Sequence, residues 1–218
     1  FHCYYCSMAD LLLLLETSGE QCSVAVAQLE GKTQRVLAEA EHTEPMKHTA
    51  MLLPLIKEAF AKTSYTLQDT SAVVVSTGPG SYTALRAGYS SAKGLCLALD
   101  IPMITVSTLR AMASVALDSM QEWAGEVVSI LPARRKDVYF AKFDAKLGTV
   151  VEPVCEEANE NWWRELLDGP KTLIVGSDAR QRCAVFAPNA THMNAELKAS
   201  NLLNISALKF QSLDFSDT

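Results

Sequence analysis

No stretch of this chain holds the roughly 18 consecutive apolar residues that a membrane-spanning helix needs. Its clearest apolar run, Leu11–Leu15, is only a strand's length, and the region lacks the basic segment that opens a secretory leader. Basic charge is also scarce. With 19 Lys+Arg against 25 Asp+Glu the net charge is −6, which argues against unaided binding of nucleic acid, since that needs a basic footprint. A partner could still supply one. Only four histidines are present. His42 and His48 stand six apart and do not share one helical face, so they do not form a metal pair. Of the six cysteines, Cys3 and Cys6 make a lone C-x-x-C with no second pair, two ligands short of a zinc site. Cys22 and Cys96 lie in apolar patterns, as small core residues. Such cysteine usage fits the reducing cytoplasm.

What is present is a core. The 218 residues are 49% hydrophobic and 20% charged, the balance of a globular protein. The organising stretch runs from Ala72 to Val106. Ala72–Ser76 is a β-branched run of a buried strand. Thr77-Gly78-Pro79-Gly80-Ser81 breaks it, because proline lacks an N–H and glycine admits positive φ. Leu85, Tyr89, Ala92, Leu95, Cys96 and Leu99 then recur at helical spacing. Asp100-Ile101-Pro102 ends the helix, and Met103–Val106 is a second strand, so the unit is a right-handed parallel crossover. The loop's amides, at a helix N-terminus, suit a phosphate or carboxylate. They equally suit a tight turn that binds nothing. It is neither a Walker loop nor a dinucleotide fingerprint: Lys93 lies too deep in the helix, and Thr83 stands where the third glycine belongs.

Upstream, Leu11–Leu15, Ser23–Ala27 and Arg35–Glu39 form an antiparallel meander with short turns. A helix over Met46–Lys62 contains Pro54, which should bend it. Downstream comes a helix over Thr108–Gln121 with Ser107 or Thr108 as N-cap. The second half reads as strands Glu126–Leu131, Asp137–Asp144 and Thr149–Val154, helix Asn161–Leu167, strand Thr172–Val175, helix Ala179–Phe186 and a last helix Ala195–Leu208. Both halves follow the order strand, strand, strand, helix, strand, helix.

That duplication predicts an α/β fold of two similar lobes around a cleft, each a mixed sheet with flanking helices. It is the signature of the actin, hexokinase and Hsp70 (ribonuclease-H-like, ASKHA) group. The expected division is residues 1–7 as an upstream or appended extension, 8–122 as an N-terminal actin-like lobe and 123–218 as a degenerate C-terminal one. In that fold group the first hairpin and a later glycine loop face a nucleotide phosphate. The corresponding anion-binding candidates here are Glu16, Thr17 and Ser18, and Thr77, Gly78, Gly80 and Ser81.

The chain resembles the bacterial TsaB (YeaZ) family. The resemblance rests on Glu16-Thr17-Ser18 followed by Cys22-Ser23-Val24-Ala25-Val26, and on His48 before Leu52-Leu53-Pro54-Leu55-Ile56. Its longest part is Ser76-Thr77-Gly78-Pro79-Gly80-Ser81-Tyr82-Thr83-Ala84-Leu85-Arg86-Ala87-Gly88, continuing into Ala92-Lys93-Gly94-Leu95. Ala133-Arg134-Arg135-Lys136-Asp137-Val138-Tyr139 adds to it. Four positions depart from the family pattern: Glu16 replaces an aspartate, Pro132 an aspartate, Ala84 a glycine and Tyr82 a phenylalanine.

The resemblance implies a cytoplasmic, non-catalytic partner of the TsaD transferase, its paralogue, in forming threonylcarbamoyladenosine beside the anticodon of tRNAs. It further implies that the TsaE ATPase joins them, that the chain is a homodimer when alone, and that tRNA is met only through the complex. No catalytic residue and no metal ligand are expected, and no cofactor is required. ATP or ADP at or near the partner interface is the one nucleotide it suggests. The family associates through its first two long helices, which makes His48, Met51, Leu52, Leu55, Tyr82, Leu85, Arg86, Tyr89 and Lys93 interface candidates, though a helix commonly buries such a stripe against its own sheet. Two other readings stay open. A small-molecule kinase or ATPase of this fold would use Glu16 as its base. A metallopeptidase acting on the paralogue would need metal ligands. Arg134-Arg135-Lys136 could steer phosphate or simply be solvated turn charge. Trp162-Trp163 fits packing better than base stacking.

Overall fold

The computed structural model describes residues 9–44, 48–120, 122–167, 171–177 and 190–216. The expected helix Ala179–Phe186 and the pair Cys3 and Cys6 lie outside these residues. The first sheet is built from β1 (Asp10–Glu16), β2 (Cys22–Glu30), β3 (Thr33–His42), β4 (Ala72–Ser76) and β5 (Met103–Val106), in the order β3-β2-β1-β4-β5. β1 pairs antiparallel with β2 and parallel with β4. It is therefore central, and Leu11–Leu15 are buried without alternation, as a strand covered on both faces requires. β3 is the outer strand of the meander and runs longer than Arg35–Glu39 at both ends.

Helices α1 (His48–Ala61) and α2 (Tyr82–Leu99) flank this sheet. Leu52, Leu55, Ile56, Ala59 and Phe60 of α1 enter a core with Leu11, Leu13, Val24, Val26, Val73 and Val75. α2 buries a row of small residues, Ala84, Gly88, Ala92 and Cys96, four apart and hence on one face. It stops at Asp100, whose φ of 55° is left-handed and whose amide donates to the Cys96 carbonyl.

The second sheet contains β6 (Glu126–Pro132), β7 (Asp137–Phe143), β8 (Thr149–Glu157), β9 (Thr172–Gly176) and β10 (Thr191–Asn194), in the order β10-β9-β6-β7-β8. β6 pairs antiparallel with β7 and parallel with β9, and β10 is parallel to β9. The connection order is that of the first sheet, so the duplicated architecture of two mixed sheets with flanking helices is present. β10 is an addition to the sequence reading. His192 sits in it.

Two helices belong elsewhere than their order in the chain suggested. By internal contacts the first unit ends at Thr77, resumes over Ser81–Val106 and takes in the chain from Lys198 onward, whereas the second comprises Gly78–Gly80 and Ser107–Leu197. This differs from a boundary near Trp123. The reason is α3 (Thr108–Ser119): its Leu109, Met112, Ala113 and Ala116 pack with Val127, Ala141, Phe143 and Leu173 of the second sheet. Conversely, the last helix serves the first unit. It is not continuous over Ala195–Leu208. A 3-10 turn, Ala199–Leu202, precedes α5 (Leu203–Gln211), after the shorter α4 (Glu160–Leu167). The Lys198 amide is capped by the Asn201 side chain at 2.7 Å, and the Ala199 amide donates to the buried Ser23 hydroxyl at 2.8 Å. Ser200 donates twice to the Glu39 carboxylate. In the second unit α4 lays Trp163 and Leu166 on Val128, Ile130 and Phe140. Trp162 packs edge-on against Phe140 and Trp163, so the tryptophan pair is packing.

Candidate functional site

The apolar run of β1 ends on a carboxylate. Glu16 is fully buried at the strand's last position. One carboxylate oxygen accepts from its own hairpin, at the Ser18 amide, and from the Ser76 hydroxyl at 3.1 Å. The same Ser76 hydroxyl accepts the Thr17 amide at 3.4 Å. Ser76 ends β4 just beyond the parallel pairing of Leu15 with Val75, so strand register brings the two side chains together. Among the described residues the other Glu16 oxygen has no hydrogen-bond partner, and neither does the Thr17 hydroxyl. Burial pushes the Glu16 carboxyl above the ordinary carboxylate range, and the hydrogen bonds from Ser18, Ser76 and Thr17 oppose that shift only in part. Cys22, at the start of β2, is pushed up to about 11 by burial and by the neighbouring Glu16 charge.

α2 is fastened to this hairpin. Its N-cap residue Ser81 donates its amide to the Ser18 carbonyl at 2.8 Å. About two turns on, Gly88 lies directly against Thr17. Thr77 donates both its amide and its hydroxyl to the Val106 carbonyl, while the Gly78 carbonyl accepts from Thr108 at the start of α3. Gly78 has a φ of 96°, which L side chains rarely adopt.

These bonds decide how far the expected anion cradle is present. Glu16, Thr17, Ser18 and Ser81 do come together within the first unit. Yet the amides of Thr17, Ser18, Thr77 and Ser81 already have protein acceptors. Donors spent inside the hairpin are not free for phosphate, and a buried carboxyl among them opposes a second anion. The residues of this hairpin do not fit a nucleotide phosphate. Gly78 and Gly80 group with the second unit. Among the described residues, no cluster of three or more His, Cys, Asp or Glu converges as metal ligands would.

The helix candidates separate into two sets. Leu52 and Leu55 are core, 1% and 2% exposed, and are corrected here from interface to core positions: they are needed to seal α1 on its sheet. Met51 and Tyr89 are half-buried and pack on that core. Leu85 and Lys93 are half-buried, and Arg86 is exposed. Tyr82 is 73% exposed. The side chain of His48 lies outside the described residues. On α2 the positions Tyr82, Arg86, Tyr89, Lys93 and Leu97 follow one another at three or four residues and so form one row, beside the buried one and outside it. The Arg86 guanidinium stands 5.5 Å from the Tyr82 ring centre, and the Lys93 ammonium 5.6 Å from that of Tyr89. Leu97 ends the row at 70% exposed, and Leu53 of α1 is 62% exposed.

Sequence reasoning missed four participants. Ser76 and Gly88 hold the hairpin, and their signals were a hydroxyl closing an all-valine strand and a glycine inside a helix. Leu53 and Leu97 were apolar residues outside the buried stripes.

A family model described as TsaD, tRNA N6-adenosine threonylcarbamoyltransferase, matches residues 35–213. A Haemophilus influenzae protein named tRNA threonylcarbamoyladenosine biosynthesis protein TsaB is 36% identical over 72% of this chain and 61% of its own length. The Escherichia coli protein of that name is 34% identical over 61% of this chain and 54% of its own. For the Bacillus subtilis one the figures are 31%, 77% and 71%. The chain thus spans about six-tenths of the first relatives it matches. Among solved structures, YeaZ from Pseudomonas aeruginosa superposes with a TM-score of 0.76 over 95% of both chains at 22% identity. An inorganic polyphosphate/ATP-glucomannokinase from Arthrobacter does so at 0.52 and 12% identity, over 94% of this chain and 99% of its own. At these identities the likeness concerns the fold, which is of the ASKHA type.

Proposed function

This chain belongs to the TsaB (YeaZ) family, and on that premise we propose that it is a non-catalytic partner of a TsaD transferase in making threonylcarbamoyladenosine on tRNA. The observation that carries the reading is the outer row of α2. A soluble helix normally spends its apolar residues on its own sheet, and α2 does so with Ala84, Gly88, Ala92 and Cys96. It nevertheless keeps Tyr82 and Leu97 in solvent, with Leu53 exposed on neighbouring α1. Aromatic and arginine side chains in such a row are the residue types that dominate protein interfaces.

Glu16 favours this reading over a kinase of the same fold. A general base must reach the proton that it removes. Glu16 is sealed from solvent and bonded to its own hairpin and to Ser76. Its role is to hold the hairpin. In this proposal the outer row pairs two copies when the chain is alone and engages TsaD when that partner is present, with TsaE joining the pair. tRNA is met through the assembly, in keeping with a net charge of −6. ATP or ADP is bound at or near the partner junction rather than by the engaged amides of this hairpin. Such an assembly works in the cytoplasm, beside its tRNA. Among the described residues no helix is long and apolar enough to cross a membrane.

The test is the mass in solution, by gel filtration with light scattering, of the chain alone, of TsaD, and of the mixture. The expected result is a homodimer that gives way to a mixed complex, weakened by Tyr82→Glu and by Leu97→Glu. No complex with TsaD would overturn the reading.

A further inference from the structure

Glycine inside a helix is unfavourable relative to alanine, and α2 contains two, with contrasting surroundings. A Cβ built on Gly94 would meet nothing within 4 Å. One built on Gly88 would stand 2.5 Å from the Thr17 hydroxyl oxygen, 3.2 Å from Thr17 Cγ2 and 3.4 Å from Thr17 Cβ. The first of these distances is one that real Cβ atoms essentially never show. Thr17 itself cannot easily yield. It is fully buried, its amide is held by Ser76, and the residues on either side are tied to β4 and to α2. With the Thr17 backbone so held, a side chain at position 88 is accommodated by an outward shift of α2 or by rotation of the Thr17 side chain.

We propose that Gly88 is a positioning residue: by admitting Thr17 where a side chain would otherwise stand, it sets how closely α2 sits on the first hairpin, and so where the outer row stands for a protein partner. The inference rests on the reading of that row as the partner face. The geometry supports it from both ends of the contact. Gly88 lies in the buried row between Ala84 and Ala92, and Arg86 and Tyr89 of the outer row flank it along the chain. Because a helix moves as a rigid body, a displacement at Gly88 carries Arg86 and Tyr89, the outer-row residues that flank it along the chain, with it. The first anchor, the amide of Ser81 on the carbonyl of Ser18 at 2.8 Å, holds the N-terminal end, so the expected motion is a tilt about Ser81.

The contact also specifies its own repair. Replacing Thr17 by alanine removes Oγ1 and Cγ2 and leaves only Cβ, at 3.4 Å, an ordinary contact distance. The Thr17 hydroxyl has no hydrogen-bond partner among the described residues, so its removal strands no donor or acceptor there. Gly88→Ala should therefore be damaging in the presence of Thr17 and tolerated in its absence.

The experiment is titration calorimetry of TsaD into wild-type chain, Gly88→Ala, Thr17→Ala and the double variant, well below the melting temperature of each. Calorimetry reports affinity and competent fraction separately. A purely structural role for Gly88 would lower the competent fraction and leave Kd unchanged. The expected result is a Kd weakened on the order of tenfold in Gly88→Ala, within the usual coupling of contacting residues, and a return toward wild type in the double variant. Unchanged Kd in Gly88→Ala, or no recovery in the double variant, would overturn the inference while leaving the partner reading intact. Should Gly88→Ala fail to fold, Gly88→Val in the Thr17→Ala background takes its place: a weakened Kd of the competent fraction supports the inference, and an unchanged Kd overturns it. Absence of binding by the wild type would remove the partner reading, and this inference with it.

Discussion

The hydroxyl of Ser76 donates to the carboxylate of Glu16 at 3.1 Å, between the ends of two parallel strands that are sixty residues apart in the chain. The bond satisfies one oxygen of a buried acid, and the other has no partner among the described residues. A buried carboxyl in that condition is destabilised as an anion.

Glu16→Gln should therefore stabilise the protein at neutral pH. The folded-state pKa is raised above the unfolded value by burial. Between the two values the folded state holds more protons than the unfolded state, so stability falls as pH rises. The loss begins as pH climbs through the ordinary carboxylate range near 4.5 and ends at the raised folded value. Glutamine keeps an acceptor for Ser18 and Ser76 and carries no such dependence. Thermal melts of both proteins from pH 4 upward check this: the advantage of the variant should be small at the acid end and should grow with pH. A wild-type protein that gains stability relative to the variant as pH rises would contradict it.

Adjacent leucines on α1 should behave oppositely. Leu52 is 1% exposed within the core, and Leu53 is 62% exposed. Leu52→Ala should cost about 2–5 kcal/mol, as lost burial plus a cavity. Leu53→Ala should change stability by no more than about 0.5 kcal/mol while weakening association with TsaD. Urea denaturation and gel filtration of the two variants give the comparison.

The two glycines of α2 make a matched pair for stability. Gly94 has open space where a Cβ would go, so Gly94→Ala should stabilise by about 0.5–1 kcal/mol. Gly88→Ala should destabilise, since it meets Thr17. Denaturation midpoints of equal sign for the two would contradict the packing described.

The return of the chain's last segment to the first unit can be tested at one hydrogen bond. The Ala199 amide donates to the buried Ser23 hydroxyl. Ser23→Ala leaves that amide buried without an acceptor, at a cost of about 1–3 kcal/mol. Hydrogen exchange should show the amides of Ala199 and of its 3-10 turn losing protection, while those of β6 and β9 stay unchanged.

Much of this was legible in the chain, for identifiable reasons. Leu11–Leu15 and Val73–Val75 are covered on both faces, so burial writes them as uninterrupted apolar runs. The duplicated strand order followed from such runs and the turns between them. Strand β10 was missed because Thr191-His192-Met193-Asn194 is short, polar and at the edge of its sheet, where little burial is demanded of it. α3 was assigned to the wrong neighbours because periodicity shows that Leu109, Met112, Ala113 and Ala116 share a face but not which sheet that face meets. Leu52 and Tyr82 were likewise indistinguishable as interface candidates: an apolar residue near a helical stripe reads the same whether its own sheet or solvent lies beyond. The link from Glu16 to Ser76 depended on strand register, which no local pattern records.

The central claim, a partner required for transfer but without chemistry of its own, is tested most directly by reconstitution. The measurement is formation of threonylcarbamoyladenosine on tRNA by TsaD and TsaE from threonylcarbamoyl-adenylate, with and without this chain, and with Glu16→Gln in its place. The account predicts little product without the chain, full activity with it, and undiminished activity with Glu16→Gln. Activity that does not need the chain, or that is abolished by Glu16→Gln in a protein that still folds and still binds TsaD, would contradict it.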